Sequence, residues 1–300
     1  MKLETINNHT VKAIPLPKRD TRPVKGADIC KKAYGTIFNV AKRESGKTSV
    51  TFHFLQHCIT KETNVIIFCS SLHNDESWVE IRRWLKKKRI NLEVHTSIFD
   101  DNGVNQIEAL VKQLSDEAAE RENEGDEEVD QTEAICRYFD KHYKCREESE
   151  PKEKKEKYLA PKYLIIFDDI SAELKSPSVV KLLKESRHYL ARVIINSQYL
   201  NDLKPESRKM IDLWLIFKGQ PEEKLEVIWK DADCPIPFPA WMGAYKFATT
   251  PTKQDQYPFF YADVRSNPAE FRRNFNRKIV IDNIREPKTR SSHMLSHNQE

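Results

Sequence analysis

The sequence lacks the features that mark a membrane or secreted protein. Its 300 residues contain no apolar run of about 18, the length that predicts a membrane-spanning helix. The N-terminal segment MKLETINNHT has no apolar centre of the kind that a signal peptide needs. We therefore expect a protein without a membrane span that stays in the compartment where it is made.

Cysteine pairs are also missing. Six cysteines are spread along the chain and none forms a CxxC pair, so free thiols in a reducing, intracellular compartment are the simplest interpretation. Cys58 and Cys69 fall in apolar stretches and are predicted to be buried. The alternative is a zinc site formed by Cys136, His142 and Cys145, although their spacing matches no common zinc pattern.

The charge is unevenly distributed, although the formal net charge is only +4. Acidic side chains outnumber basic ones between residues 115 and 160, so the rest of the chain is strongly basic. This segment has no strand pattern, and we expect an acidic insertion that is partly helical and partly disordered. A basic body is compatible with a polyanionic partner such as DNA, or with solubility alone.

No internal repeat is visible; strand-like and helix-like segments alternate along the chain instead. Short, continuously apolar runs are typical of strands buried on both faces, and helical patterns separate them. This alternation predicts an α/β fold with a mostly parallel central sheet and helices on both faces. The predicted strands cover residues 34–40, 65–70, 92–99, 163–167, 193–196 and 213–217.

The segment AKRESGKT lies between the first predicted strand and a helix predicted at 47–60. A phosphate-binding loop, or Walker A motif, has this placement because its backbone N–H groups and the helix N-terminus face the phosphates. Gly46 allows close backbone approach, Lys47 reaches the phosphate oxygens, and Thr48 supplies a hydroxyl ligand for Mg²⁺. The residues predicted to bind ATP and Mg²⁺ are Ala41, Lys42, Arg43, Glu44, Ser45, Gly46, Lys47, Thr48 and Ser49.

Two residues of this loop depart from the usual pattern. Ala41 stands where glycine is usual, and its Cβ narrows the backbone conformations that are allowed. Glu44 places a carboxylate beside the phosphates, where it repels them unless it points away. A chance GKT tripeptide is the alternative interpretation of the segment.

A second motif, KYLIIFDD, ends in two adjacent carboxylates. Residues 164–167 predict a central strand, and ligands bind at the carboxyl ends of strands in open α/β sheets. We predict that Asp168 holds Mg²⁺ through water and that Asp169 orients or deprotonates the attacking water. Two acids favour a hydrolase over a kinase. The alternative is that both aspartates cap the segment 171–174.

A third motif, VIINSQ, places polar side chains at the end of a neighbouring predicted strand. Gln198, with Asn196 as second candidate, fits a sensor that contacts the γ-phosphate; an ordinary polar strand end is the alternative. Phosphoryl transfer also needs positive charge, often from an arginine of a neighbouring subunit. The candidates for that arginine are Arg187, Arg192 and Arg208.

In their order and spacing, these motifs resemble those of the FtsK–HerA superfamily packaging ATPases of large double-stranded DNA viruses and Polinton (Maverick) virus-like elements. The resemblance covers roughly residues 34–280. It is carried by the GKT loop, by LIIFDD, by SRHYLARVIINSQYLNDLKPESRKMIDLWLIFKG and by YPFFYADVRSNPAEFRRNFN. It implies a RecA-like P-loop ATPase core with an additional strand between the strands that carry the first two motifs.

The resemblance also assigns roles to individual positions. Lys47 and Thr48 match the phosphate and Mg²⁺ positions of the family. Asp168 and Asp169 match its acidic pair, and Gln198 matches its sensor glutamine. The implied cofactors are therefore ATP and Mg²⁺, and the implied enzyme is a P-loop ATPase.

The function implied by the resemblance is a motor that drives double-stranded DNA into a capsid. Such a motor assembles as a homo-oligomeric ring and contacts capsid proteins. The expected location is the host cell cytoplasm or nucleus, and the motor is expected to associate with the virion. Candidate DNA-facing groups are the basic helix 82–89 and Arg272, Arg273 and Arg277. The alternatives are a DNA helicase or transposition ATPase, a Zot-like nucleotide-binding morphogenesis protein, and a nucleotide-binding structural subunit.

These predictions divide the chain into four parts. The extension that follows the core begins with several prolines, which argue against a long helix there. Within it, residues 245–249 and 259–264 are predicted as short strands and 268–277 as a helix. The parts are a flexible lead-in (1–33), the ATPase core with its acidic insertion (34–219), a C-terminal extension packed on the core (220–285) and a disordered tail (286–300).

Overall fold

The computed structural model describes residues 20–72, 74–126 and 157–281, and for 122–126 it describes the backbone alone. Most of the predicted acidic insertion, the proposed zinc ligands Cys136, His142 and Cys145, and the predicted tail lie outside the described residues. The first 12 residues of that insertion, 115–126, form the end of a long helix.

The described strands form a single sheet. They are β1 (Gly35–Val40), β2 (Asn64–Cys69), β3 (Leu92–His95), β4 (Tyr163–Asp168), β5 (Ala191–Ser197), β6 (Leu213–Phe217), β7 (Phe259–Asp263), β8 (Glu270–Arg273) and β9 (Arg277–Lys278). Their order is β3-β2-β4-β5-β1-β6-β7-β8-β9. The six strands from β3 to β6 in this order are parallel, and β7, β8 and β9 are antiparallel. The predicted, mostly parallel sheet is confirmed, and β5 separates β1 from β4, as the resemblance implied.

Helices cover both faces of the sheet, as predicted. The helices are α1 (Lys47–Cys58), α2 (Glu76–Lys88), α3 (Gln106–Asp126), α4 (Pro177–Glu185), α5 (Pro205–Arg208), α6 (Glu222–Asp231) and α7 (Phe238–Thr249). One apolar cluster joins the sheet to α1 and α2, and a second joins it to α3, α4, α6 and α7. None of the described helices has both the length and the apolar character required to cross a membrane.

The two-sided burial explains why the strand sequences are continuously apolar. In β5, Val193 and Ile195 pack in the cluster of α3 and α4, whereas Ile194 packs in the cluster of α1 and α2. All three side chains are fully buried. Burial of one such side chain contributes about 1.5–3 kcal/mol, so a polar residue in any of these positions needs a partner to be tolerated.

The structure corrects two predictions in the C-terminal part. Residues 245–249 are not a strand but the end of α7, in which Pro237 is the N-cap and Pro239 lies in the first turn. Proline is compatible with that turn because its missing N–H would have no partner inside the helix. The predicted helix at 268–277 is also wrong, since β8 and β9 form there by antiparallel pairing with β7 and with each other.

Part of the predicted flexible lead-in is packed against the core. Ile29 and Ala33 are buried. Val24 forms a β-bridge with Leu159, whose carbonyl oxygen accepts a hydrogen bond from the N–H of Lys25 at 2.8 Å. Residues 20–33 therefore belong to the folded body.

The described cysteines are free thiols. Cys58 and Cys69 are buried, as predicted, and so is Cys30, while Cys234 is partly exposed.

Candidate active site

The loop 41–46 connects the end of β1 to the start of α1 at the carboxyl edge of the sheet. Ala41 is fully buried, and its N–H donates to the carbonyl oxygen of Ser197 at 3.1 Å. Ala41 does not have a positive φ. An alanine therefore fits at this position without strain. The predicted restriction of its allowed backbone conformations has no consequence here.

Two other loop residues do adopt the left-handed region. Glu44 has a φ of 57° and Gly46, the N-cap of α1, a φ of 91°. Left-handed residues in a loop turn successive N–H groups toward one concave side, which is the geometry of an anion-binding nest. The hydroxyl of Ser45 donates to the carbonyl of Lys42 at 2.6 Å and holds this turn.

The amine of Lys47 lies inside the loop. Its Nζ donates to the carbonyl oxygens of Ala41 at 3.0 Å and Lys42 at 3.1 Å. Burial lowers the pKa of Lys47, while the nearby carboxylates of Asp168 and Asp169 oppose that shift. The amine is thus placed between the loop backbone and the acidic pair, where the lysine of a phosphate-binding loop is required.

Asp168 ends β4 as a buried carboxylate with an unexpected donor. The indole Nε1 of Trp78, on α2, donates to Oδ2 of Asp168 at 2.7 Å. Burial raises the pKa of Asp168 to about 6, although the hydrogen bonds from Trp78 and Asn196 and the charge of Lys47 act against the shift. The sequence pattern alone predicts only that Trp78 lies on the apolar side of an amphipathic helix over residues 76–88. The available signal was the indole N–H, which needs a partner once the ring is buried.

The raised pKa of Asp168 predicts how stability depends on pH. Between its ordinary value of 3.8 and about 6 the folded protein binds this proton more tightly than the unfolded chain. The free energy of unfolding therefore falls as the pH rises through that window. At pH values above about 6, the buried carboxylate charge lowers the free energy of unfolding by up to about 3 kcal/mol.

Asp168→Asn removes this charge and keeps an acceptor for Trp78. Without nucleotide or metal, the variant should unfold with a free energy up to about 3 kcal/mol higher than wild type at about pH 7.5, and the difference should shrink at about pH 4. Urea unfolding at both pH values measures this, with exposed Asp101→Asn as the control. A variant less stable than wild type at the higher pH would contradict the expectation.

Asp169 follows directly and adopts a φ of 55°. Its carbonyl accepts a hydrogen bond from the Ser70 hydroxyl at 2.7 Å, and its Oδ1 accepts one from Gln198 Nε2 at 3.4 Å. Aspartate enters the left-handed region more readily than glutamate, which gives a physical reason for the shorter second acid. The residues assigned as base and sensor therefore lie in contact.

The capping alternative for the two aspartates does not hold. The 3₁₀ turn Glu173–Lys175 that follows them has Ala172 as its N-cap, without a side-chain cap bond. The next helix, α4, is preceded by Ser176. Among the described contacts, Asp168 faces Trp78 instead.

A buried polar network lies beneath the site. Nδ2 of Asn39, on β1, donates to Oδ1 of Asn196, on β5, at 2.6 Å. Asn196 also exchanges hydrogen bonds with the hydroxyl of Thr51, on α1. Because Asn196 is only 1% exposed and also bonds to Asp168, it supports the carboxylate from below. Gln198 is thus better placed than Asn196 to contact a ligand.

Lys47, Thr48, the two aspartates, Asn196 and Gln198 line one cleft of about 140 Å³. Its carboxylates outnumber its cations, so a triphosphate needs an accompanying cation to bind there. Ser71, in the turn after β2, and Asp75, the N-cap of α2, belong to the lining and are not predicted from the sequence. The charged lining residues are Glu44, Asp75, Asp168, Asp169, Arg43 and Lys47.

The oxygen donors of the cleft fit Mg²⁺. Thr48 offers a hydroxyl and Asp168 a carboxylate, both hard ligands that this ion prefers. Within the described residues, no three His, Cys, Asp or Glu side chains converge as a metal cage.

Two of the three candidate arginines for a neighbouring subunit are in the wrong place. Arg192 is 1% exposed at the amino end of β5, beside Gly35. Arg208 is buried and pairs with Asp231 at 2.6 Å. Arg187 alone among the three has an exposed side chain, although it pairs with Asp212.

Two of the proposed DNA-facing arginines are likewise buried. Arg272 pairs with Glu270 at 2.7 Å, and Arg273 pairs with Asp255 at 3.1 Å. Both predictions are wrong, because these side chains stabilise β8 instead of facing solvent. Arg277 and the basic end of α2 are exposed, with Arg83, Lys86, Lys87, Lys88 and Arg89 on the surface.

No protein-family model matches this chain, and no curated protein sequence matches it either. Among solved structures it is similar to the genome packaging NTPase B204 from Sulfolobus turreted icosahedral virus 2, in complex with AMP. The identity is 16%, the alignment covers 81% of this chain and 98% of B204, and the TM-score is 0.46.

Two further similar structures come from other systems. EccC from Thermomonospora curvata (ATPases 2 and 3) is 10% identical over 77% of this chain and 35% of its own, with a TM-score of 0.40. The pCW3 conjugation coupling protein TcpA is 12% identical over 76% of this chain and 56% of its own, with a TM-score of 0.35.

Proposed function

We propose that this protein is a Mg²⁺-dependent ATPase. The observation that carries the proposal is the convergence of Lys47, Asp168 and the Gln198–Asp169 pair on one cleft at the end of a phosphate-type loop. These residues come from three separate segments of the chain. Together they supply a cation, Lys47, to bind phosphate and a carboxylate, Asp168, to hold the metal. Asp169 supplies a second carboxylate to accept a proton from the attacking water.

The chemistry follows from these positions. Loop N–H groups and the Lys47 amine bind the β- and γ-phosphate oxygens, and Thr48 and Asp168 would hold the metal. Bound Mg²⁺ would neutralise charge on the phosphates. Asp169 accepts a proton from the water whose oxygen forms the new bond to the γ-phosphorus, and the bond from that phosphorus to the β–γ bridging oxygen breaks. Gln198, bonded to Asp169, orients that carboxylate and reports the loss of the γ-phosphate.

The finer proposal is that hydrolysis drives double-stranded DNA into a capsid from a homo-oligomeric ring. Its support is the resemblance of the motifs to packaging ATPases and the exposed basic end of α2. Beside that helix lies a groove of about 550 Å³, larger than the nucleotide cleft, lined by Arg82, Arg83 and Lys86 among others. Contacts of such groups with phosphates are independent of sequence and weaken with salt.

Phosphate release with and without duplex DNA tests both the proposed ATPase activity and the proposed DNA motor. We expect Mg²⁺-dependent hydrolysis that duplex DNA stimulates at about 50 mM salt and stimulates much less at about 200 mM salt. Lys86→Ala/Lys87→Ala should lower the stimulation and keep the basal rate. The matched control is Lys181→Ala/Lys184→Ala, two exposed lysines of α4 on the opposite face.

The possible outcomes separate the two levels of the proposal. No hydrolysis in any assembly state would contradict the ATPase itself. Hydrolysis that DNA never stimulates would leave the ATPase and contradict the translocating motor.

A further inference from the structure

The geometry of the sheet fixes the direction in which a nucleotide must lie. Asp169 and Gln198 stand at the ends of β4 and β5, on one side of β1. The γ-phosphate has to face them, because the water that they hold must reach its phosphorus. The base then extends to the other side of β1, toward the loops that flank β6 and β7.

An exposed aromatic side chain stands on that side. Tyr257, shortly before β7, is 60% exposed. A Cβ built on Gly46 would lie 3.7 Å from the Cβ of Tyr257, so this tyrosine adjoins the last residue of the phosphate-binding loop. The exposed ring presents a flat aromatic face beside the loop.

The turn before Tyr257 is held in place. Thr252 and Asp255 exchange two backbone hydrogen bonds, at 2.9 and 3.1 Å. The carboxylate of Asp255 accepts from Arg273 at 3.1 Å and from Nδ2 of Asn274 at 2.7 Å. The ring of Tyr257 is therefore carried by a segment that is tied to β8, which suits a preformed contact surface.

The other exposed tyrosine near the cleft is already engaged. Tyr199, next to Gln198, has the amine of Lys224 5.4 Å from its ring centroid. It also follows β5, on the side of the cleft where the γ-phosphate is expected. Tyr257 is accordingly the better candidate for a base.

We propose that Tyr257 stacks on the nucleotide base, a role that rests on the proposed ATPase function. A π-face is common to all bases, so this contact adds affinity with little preference between adenine and guanine. The contact lies away from the reacting phosphates, and truncation of Tyr257 should raise the KM for ATP more than it lowers kcat.

Binding of two anions separates base contact from phosphate contact. The probes are a non-hydrolysable ATP analogue and inorganic tripolyphosphate, measured by calorimetry on the full chain with Mg²⁺. Tyr257→Ala should weaken binding of the analogue by about tenfold and leave tripolyphosphate unchanged. Tyr257→Phe and Tyr257→Trp should bind both like wild type. Phe247→Ala, which truncates another exposed aromatic on α7, is the control and should change neither affinity.

Each other outcome overturns the inference in a recognisable way. Equal weakening of both probes by Tyr257→Ala means that the residue supports the loop structurally. Unchanged binding of the analogue means that the base does not contact Tyr257. Failure of wild type to bind either probe overturns the proposed function and the stacking with it.

Discussion

Lys47→Ala should abolish ATP hydrolysis, with a loss of at least about 10³-fold in kcat/KM. The amine of Lys47 lies between the loop backbone and the acidic pair. Without it, the carboxylates of the cleft face the phosphates with less opposing charge, so binding and transition-state stabilisation are both lost. Steady-state phosphate release measures the effect.

The control for Lys47→Ala removes an equal charge at a distance from the cleft. Lys61→Ala, at an exposed turn beyond the other end of α1, should hydrolyse ATP like wild type. Thermal unfolding checks that Lys47→Ala folds, since its loop loses a donor to two carbonyl oxygens. A folded Lys47→Ala variant with wild-type activity would show that the cleft is not the catalytic centre.

Asp169→Asn should slow hydrolysis by about 10²–10⁴-fold, the usual contribution of a general base. Asparagine has the same size as aspartate and also adopts left-handed backbone conformations. It can therefore take the φ of 55° at this position, and the substitution should not change the fold. Nucleotide affinity should persist, because the loop and Lys47 are untouched. Single-turnover hydrolysis and binding of a non-hydrolysable analogue measure the two properties separately.

Asp233→Asn is a matched control for the base. Asp233 is exposed and also has a positive φ, of 49°, but it lies at the end of α6 away from the cleft. Its substitution should leave the rate unchanged. If Asp169→Asn hydrolysed ATP at the wild-type rate, the base would have to be sought elsewhere, with Glu44 and Asp75 as the remaining acids of the cleft.

The parts of the site that the sequence predicted are those whose residues are neighbours along the chain. The loop 41–46 connects β1 directly to α1, so spacing alone places Lys47 and Thr48, the first residues of α1, at the edge of the sheet. Asp168 follows four buried apolar residues, and that pattern puts it at the end of a central strand. These placements follow from residues that are adjacent in sequence, and they do not depend on how the other helices and strands are arranged.

Long-range partners could not be predicted in the same way. Trp78 and Asp168 are 90 positions apart, and only the packing of α2 on the sheet brings the indole to the carboxylate. The fate of arginine is equally dependent on context, because its long apolar stem allows burial when a carboxylate is within reach. Arg208 pairs with Asp231 and Arg272 pairs with Glu270, so neither arginine is available to DNA or to a neighbouring subunit.

By itself, the sequence determined the α/β class, and it placed the predicted phosphate-binding loop and the predicted acidic pair at strand ends, because periodicity and contiguous spacing encode these features. The tertiary structure decided which polar groups share the cleft and which basic residues are exposed. It also turned residues 245–249 into helix and 268–277 into strands, since pairing with β7 outweighs local propensity. These outcomes depend on contacts between distant segments, whose free energies no local pattern contains.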